Sequence, residues 1–117
     1  MRIVSVIEDH NIEKRIAITP DIAKKYISLG LEVSVSENYG EHLGFKDNDY
    51  KELGVEISNK EHEILSKADI IVQLGLLSDV NLLALKENQT LVGVFNPHIN
   101  KKKIENLSKK NINIFSL

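Results

Sequence analysis

The 117-residue sequence contains no cysteine, which excludes a disulfide framework, a thiolate nucleophile and a cysteine-ligated zinc site. A reducing, cytoplasmic setting is the expectation that follows. Long hydrophobic runs are missing as well. With 42% hydrophobic and 27% charged residues, the composition is that of a soluble globular chain, and no apolar run approaches the length of a bilayer span. The opening Met1-Arg2-Ile3-Val4-Ser5-Val6 is too short an apolar segment for a signal peptide and reads better as a first strand. Neither sign of charge dominates. The formal net charge of −2 gives no general attraction to nucleic acid, and Lys101-Lys102-Lys103 and Lys109-Lys110 read as a solvated helix face. The six glycines, at positions 30, 40, 44, 54, 75 and 93, form no Gly-x-Gly pair. A glycine turn is what lets backbone approach a pyrophosphate at a helix N-terminus, so the chain is not expected to hold NAD, FAD or ATP phosphates in that way by itself. His10, His42, His62 and His98 share no helix-face spacing suited to a metal, and no Ser-His-Asp order or acid pair emerges.

What is present is organised around Lys14-Arg15-Ile16-Ala17-Ile18-Thr19-Pro20. Thr19 suits an N-cap, Pro20 the first helical position, and Asp21 the positive helix end. Ile22, Ala23, Tyr26 and Ile27 then mark one buried face, and Gly30 a left-handed stop, which predicts a helix of about ten residues. Residues 2–7 form the strand before it. Residues 31–36 alternate apolar and polar and predict a strand near a sheet edge with one solvated face. A glycine-bearing loop follows over 38–44. A short helix capped by Lys46-Asp47 is predicted over 47–53, with a possible short strand at 55–57.

A polar helix is predicted over 59–67 and a strand buried on both faces over 69–74. Ser78 caps the next helix, with Val80, Leu82, Leu83 and Leu85 on or beside its inner face. A second buried strand spans 90–95 and is broken by Asn96-Pro97-His98. A helix over 100–110 turns Ile104 and Leu107 inward, and a last strand covers 112–117. Strands alternating with helices across one domain, 1–117, predict an α/β fold: a doubly wound, mostly parallel sheet in three layers, Rossmann-like or flavodoxin-like, with right-handed crossovers.

Arg15 is the first site candidate, because it lies in the loop after the first strand and its planar fork suits a carboxylate or phosphate. A surface ion pair with Glu8, Asp9 or Glu13 is the plainer reading of the same spacing. His98, after a strand end and a proline, is placed for a cleft, with a surface role as the alternative. His10 and His62 read as solvated.

Beyond these residues, the sequence resembles a family. Met1-Arg2-Ile3, Glu13-Lys14-Arg15-Ile16-Ala17-Ile18-Thr19-Pro20, Gly30-Leu31-Glu32-Val33, Gly44-Phe45-Lys46-Asp47-Asn48-Asp49-Tyr50, Gly54-Val55-Glu56-Ile57, Ala68-Asp69-Ile70-Ile71 and Gln89-Thr90-Leu91-Val92 are similar, in order and spacing, to the N-terminal domain shared by alanine dehydrogenase and the alpha subunit of NAD(P) transhydrogenase. In the dehydrogenases a substrate-binding lysine and a catalytic histidine occupy positions that align with Gly75 and Asn96. Their absence makes the chain look more like transhydrogenase, which passes a hydride from NADH to NADP⁺ with proton translocation. Arg15 matches the arginine that contacts substrate carboxylate in the dehydrogenases.

The resemblance implies Arg15, Asn96 and His98 on the substrate or cleft side, with no certain catalytic, cofactor-binding or metal residue among these 117. It implies NAD(H) held by a Rossmann domain that, with its Arg-Gln-Asp loop, lies outside this sequence. NADP(H) is implied on a partner subunit. The implied partners are the remainder of the alpha subunit, often a second copy of it, and membrane subunits that place it peripherally at the inner membrane. The chain alone is not expected to turn over. An alanine dehydrogenase-like substrate domain and a non-catalytic flavodoxin-like binding module are the alternatives.

Overall fold

The computed structural model describes all residues except Pro97 and Ile99. The strand break assigned to Pro97 therefore lies outside the described residues. Six strands, β1 (Arg2–Ser5), β2 (Glu32–Ser36), β3 (Glu56–Ser58), β4 (Ile70–Val72), β5 (Thr90–Gly93) and β6 (Asn113–Ser116), form one sheet in the order β3-β2-β1-β4-β5-β6. Every pairing is parallel, as expected when each strand is followed by a crossover rather than a hairpin. The helices are α1 (Pro20–Ser28), α2 (Asp47–Lys51), α3 (Glu61–Ser66), α4 (Asp79–Leu82) and α5 (Lys101–Lys109). This is the doubly wound α/β architecture that the alternation of strand and helix patterns predicts.

Alternation along β1 and β4 divides the core in two. Ile3 and Val33 join Ala23 of α1 and Tyr50 of α2 in one cluster, whereas Val4 and Ile71 join Leu65 of α3 and Leu107 of α5 in the other. The sheet is thus covered on both faces, the condition under which parallel strands are found. The start of α1 follows its signals: Thr19 Oγ1 accepts from the Ile22 N–H at 3.4 Å, Pro20 opens the helix, and Gly30 at φ +86° takes the left-handed turn after it. Gly93 on β5 is required for a different reason, since a Cβ there would run into the Gln73 carbonyl oxygen and the Phe95 ring.

Some expectations need correction. β2 is not an edge strand with a solvated face: β3 lies outside it, and Ser34 and Ser36 are buried beside Val33 and Val35. The alternation is real in sequence, but serine is small enough to be covered. α2 is fastened by Asp49, whose Oδ2 accepts from the Lys46 N–H at 2.8 Å, rather than by the Lys46-Asp47 pair. α4 is a single turn, so Val80 and Leu83 stay exposed while Leu85 is buried beyond its end. His10 is not simply solvated: its Nε2 is buried and its ring lies 3.8 Å, centre to centre, from that of His42.

Candidate functional site

In an open parallel sheet the loops after two neighbouring strands diverge where one crossover goes to each face, and ligands sit at the carboxyl ends beside that point. Here the parting lies between β1 and β4. A cleft of about 750 Å³ opens there, lined by Glu8 and Glu13 from the loop after β1, Gln73 and Gly75 after β4, and Phe95 and Asn96 after β5.

The floor of this cleft is a buried polar assembly. The register between β1 and β4 ends at Val4 with Ile71, and the ladder is then continued by a side chain. Gln73 Oε1 accepts from the Val6 N–H at 2.7 Å, and its Nε2 donates to the Val6 carbonyl at 3.1 Å. The Gln73 amide thus stands in for a peptide unit just where the two backbones separate. Gln73 is 2% exposed, and its remaining capacity is also used: Oε1 accepts from Ser5 Oγ at 2.9 Å and Nε2 donates to Glu8 Oε2 at 3.0 Å.

These bonds orient their neighbours. Because the Ser5 hydroxyl proton goes to Gln73, the Tyr39 hydroxyl must donate to Ser5 Oγ at 2.8 Å. Tyr39 Oη in turn accepts from the Ala17 and Ile18 N–H groups, each at 3.1 Å. A directed chain therefore runs from the backbone ahead of α1, through Tyr39, Ser5 and Gln73, to the carboxylate of Glu8. Burial, partly offset by its hydrogen bonds, pushes the Tyr39 hydroxyl up to about 12.

Glu8 is 7% exposed. Its Oε2 also accepts from the Leu74 N–H at 2.9 Å, and Oε1 from the Gly75 N–H at 3.1 Å. Burial raises its pKa above the usual carboxylate value. The Leu74 and Gly75 N–H groups work against that rise, and the charge of Glu13 adds to it.

Arg15 is in a different setting. Its side chain is 75% exposed and does not line the cleft. It forms a bidentate pair with Glu13, Nη2 to Oε1 at 2.8 Å and Nε to Oε2 at 3.0 Å, and its own N–H adds a third bond to Oε2 at 2.9 Å. Of the three carboxylates the spacing allowed, Glu13 is the partner. The pairing holds the Glu13 carboxyl down to about 2. Asn96 lines the cleft, and its Oδ1 accepts from the exposed His98 N–H at 3.1 Å. The sequence reading missed Glu8, Gln73, Ser5 and Tyr39 as site residues. The available signal was a glutamine closing an otherwise apolar strand pattern. No group of three or more His, Asp or Glu side chains able to hold a metal occurs among the described residues.

Fold and cleft together define a doubly wound α/β domain with its ligand groove at the β1/β4 parting. The chain belongs to the alanine dehydrogenase/PNT N-terminal domain family, whose model matches residues 5–117. It is 36% identical to an NAD(P) transhydrogenase subunit alpha chain of Rickettsia prowazekii (strain Madrid E), the first portion of a subunit divided between chains, in an alignment covering all of this chain and 32% of that one. A transhydrogenase from Sinorhizobium meliloti superposes with a TM-score of 0.88 at 22% identity, covering 97% of this chain and 34% of the other. An L-alanine dehydrogenase superposes with a TM-score of 0.90 at 19% identity, covering 99% and 32%. At these identities the two superpositions establish the fold. The chain spans about a third of the length of the transhydrogenase relative it matches.

Proposed function

We propose that these residues form one wall of the nucleotide cleft of an NAD(P) transhydrogenase alpha subunit, which transfers a hydride from NADH to NADP⁺ together with proton translocation. The observation that carries this reading is the 36% identity, across the whole chain, to a protein named for that subunit. The cleft chemistry agrees with it. Hydride passage between two nicotinamide rings asks a protein wall for position and exclusion of water rather than for a proton donor. Gly75 and Asn96, at the aligned positions of the dehydrogenase lysine and histidine, bring neither a charge nor a titrating group to the cleft. Reductive amination needs both, which disfavours an alanine dehydrogenase activity.

In this proposal NAD(H) is bound chiefly by a glycine-fingerprint domain outside these residues and NADP(H) by a partner subunit. Membrane subunits and a second alpha subunit complete the assembly, with this domain peripheral to the membrane. Asn96 and His98 lie on the cleft side, and Arg15 orients or closes over the nucleotide once released from Glu13. The test is reconstitution with the second domain and partner subunits, followed by an assay of NADH-dependent reduction of an NADP⁺ analogue. Turnover supports the reading. Absence of hydride transfer together with alanine-dependent NAD⁺ reduction would replace it with the dehydrogenase alternative.

A further inference from the structure

Glu8 is a nearly buried carboxylate without a counter-charge. All three of its hydrogen bonds come from neutral N–H groups of Gln73, Leu74 and Gly75. No lysine, arginine or histidine makes an ion pair with it among the described residues. Folded proteins rarely withdraw a charge from water without pairing it. Here the charge sits on the floor of an open cleft and not within the packed core.

Its unused capacity is localised. A carboxylate has about four lone-pair positions; Oε2 already takes two bonds and Oε1 only one. A Cβ placed on Gly75 would meet Glu8 Oε1 at 3.4 Å and no other atom within 4 Å. The backbone at Gly75 is not in the left-handed region, so nothing in its conformation demands glycine. The missing side chain leaves a notch with Oε1 at its side. The rest of the cleft has the same sign: Asp9, Glu13 and Glu61 line it, and Lys103, also in the lining, is held by Asp79 at 3.0 Å. Apolar walls from Ile7, Ile12, Leu76 and Val94 stand beside the notch in the same cleft.

We propose that the notch between Glu8 Oε1 and Gly75 binds the primary ammonium group of a small organic amine, with its aliphatic stem against the apolar cleft walls. A bare divalent cation is the poorer match, because it needs several oxygen ligands and the notch offers one. An ammonium supplies both the absent counter-charge and a donor for the open lone pair, a charge-assisted bond. This goes beyond hydride transfer, since it requires a cationic ligand at a position no nicotinamide chemistry employs.

The experiment is a titration of the ¹⁵N-labelled chain with butylammonium chloride at pH 7 and constant ionic strength, read at the Leu74 and Gly75 amide resonances. Saturable movement is expected with butylammonium, none with sodium chloride or sodium acetate, and binding of butyramide at least about tenfold weaker. Glu8→Gln should lower butylammonium affinity at least about tenfold, as should Gly75→Leu, which fills the notch. If Glu8→Gln does not fold, the Gly75→Leu result decides. No saturable shift in the parent chain, an equal response to butyramide, or unchanged binding by a folded Gly75→Leu chain would each overturn the proposal. Those failures leave the transhydrogenase reading untouched, because that reading is tested by hydride transfer in the reconstituted assembly.

Discussion

At the residue scale, two carboxylates of one loop respond to pH in opposite senses. Glu13 is held down to about 2 by its bonds with Arg15. A depressed native pKa adds stability that is fully present above the ordinary carboxylate value of 4.5 and is lost as pH falls toward 2. Glu8 is raised by burial. Between 4.5 and its native value the folded chain holds a proton that the unfolded chain has released, so this contribution falls as pH rises through that window. Arg15→Ala should return the Glu13 carboxyl to the ordinary range with little change in melting temperature at pH 7, since the pair is exposed. Carbon-detected NMR titration of the glutamate carboxyls, beside thermal melting, measures both. A large loss of melting temperature at pH 7 would make Arg15 a structural residue. For Gln73 the expectation is larger. Gln73→Ala leaves the Val6 N–H and the Ser5 hydroxyl without their acceptor and removes a donor from Glu8, a cost of about 2–4 kcal/mol in urea unfolding at pH 7. Arg15 is visible in sequence because loop position and side-chain chemistry suffice to nominate it. Glu8 and Gln73 are not, because their significance lies in bonds between residues 65 apart, which no local pattern encodes.

At the scale of elements, sequence rules work best where a local signal decides the outcome. Thr19, Pro20 and Gly30 set the limits of α1, because a cap, a fixed φ and a left-handed stop act within a few residues. Thr19→Ala should cost about 1 kcal/mol, read as a lowered urea midpoint with an unchanged slope. The rules work least well where burial is set by distant neighbours. β2 looks half-solvated because of its serines, yet Ser36 Oγ accepts from the Ile7 N–H at 2.8 Å and ties that strand to the end of β1. α4 stops after one turn, so the apolar residues that would have shared a longer helix's inner face do not do so. β5 is expected to be the strand least tolerant of added volume. Gly93→Ala sets a methyl group against the Gln73 carbonyl oxygen and the Phe95 ring and should destabilise by about 1–3 kcal/mol or more. Equilibrium unfolding of that variant, compared with the same substitution at the unobstructed Gly44, separates the collision from the loss of glycine alone, since Gly44→Ala is penalised only for its φ of +86°.

At the scale of the whole molecule, the sheet order explains why site and fold are one problem. The groove exists because crossovers from β1 and β4 leave toward opposite faces, and the same parting divides the core into two clusters. The edge strand β6 presents Phe115 at 60% exposure. Phe115→Lys should therefore reduce any concentration-dependent self-association of the chain in sedimentation velocity, by placing a charge on an open strand edge. The parallel pairing has one more consequence, in the order of events during synthesis. Because Ile3 pairs with Ile70 and Val4 with Ile71, β1 can acquire β2 as a neighbour early but cannot acquire β4 until most of the first seventy residues have been made. During that interval its inner edge is open to any other extended chain. A nascent polypeptide stalled before Ile70 is thus the form of this protein most in need of a chaperone, and the region to protect is the inner edge of β1.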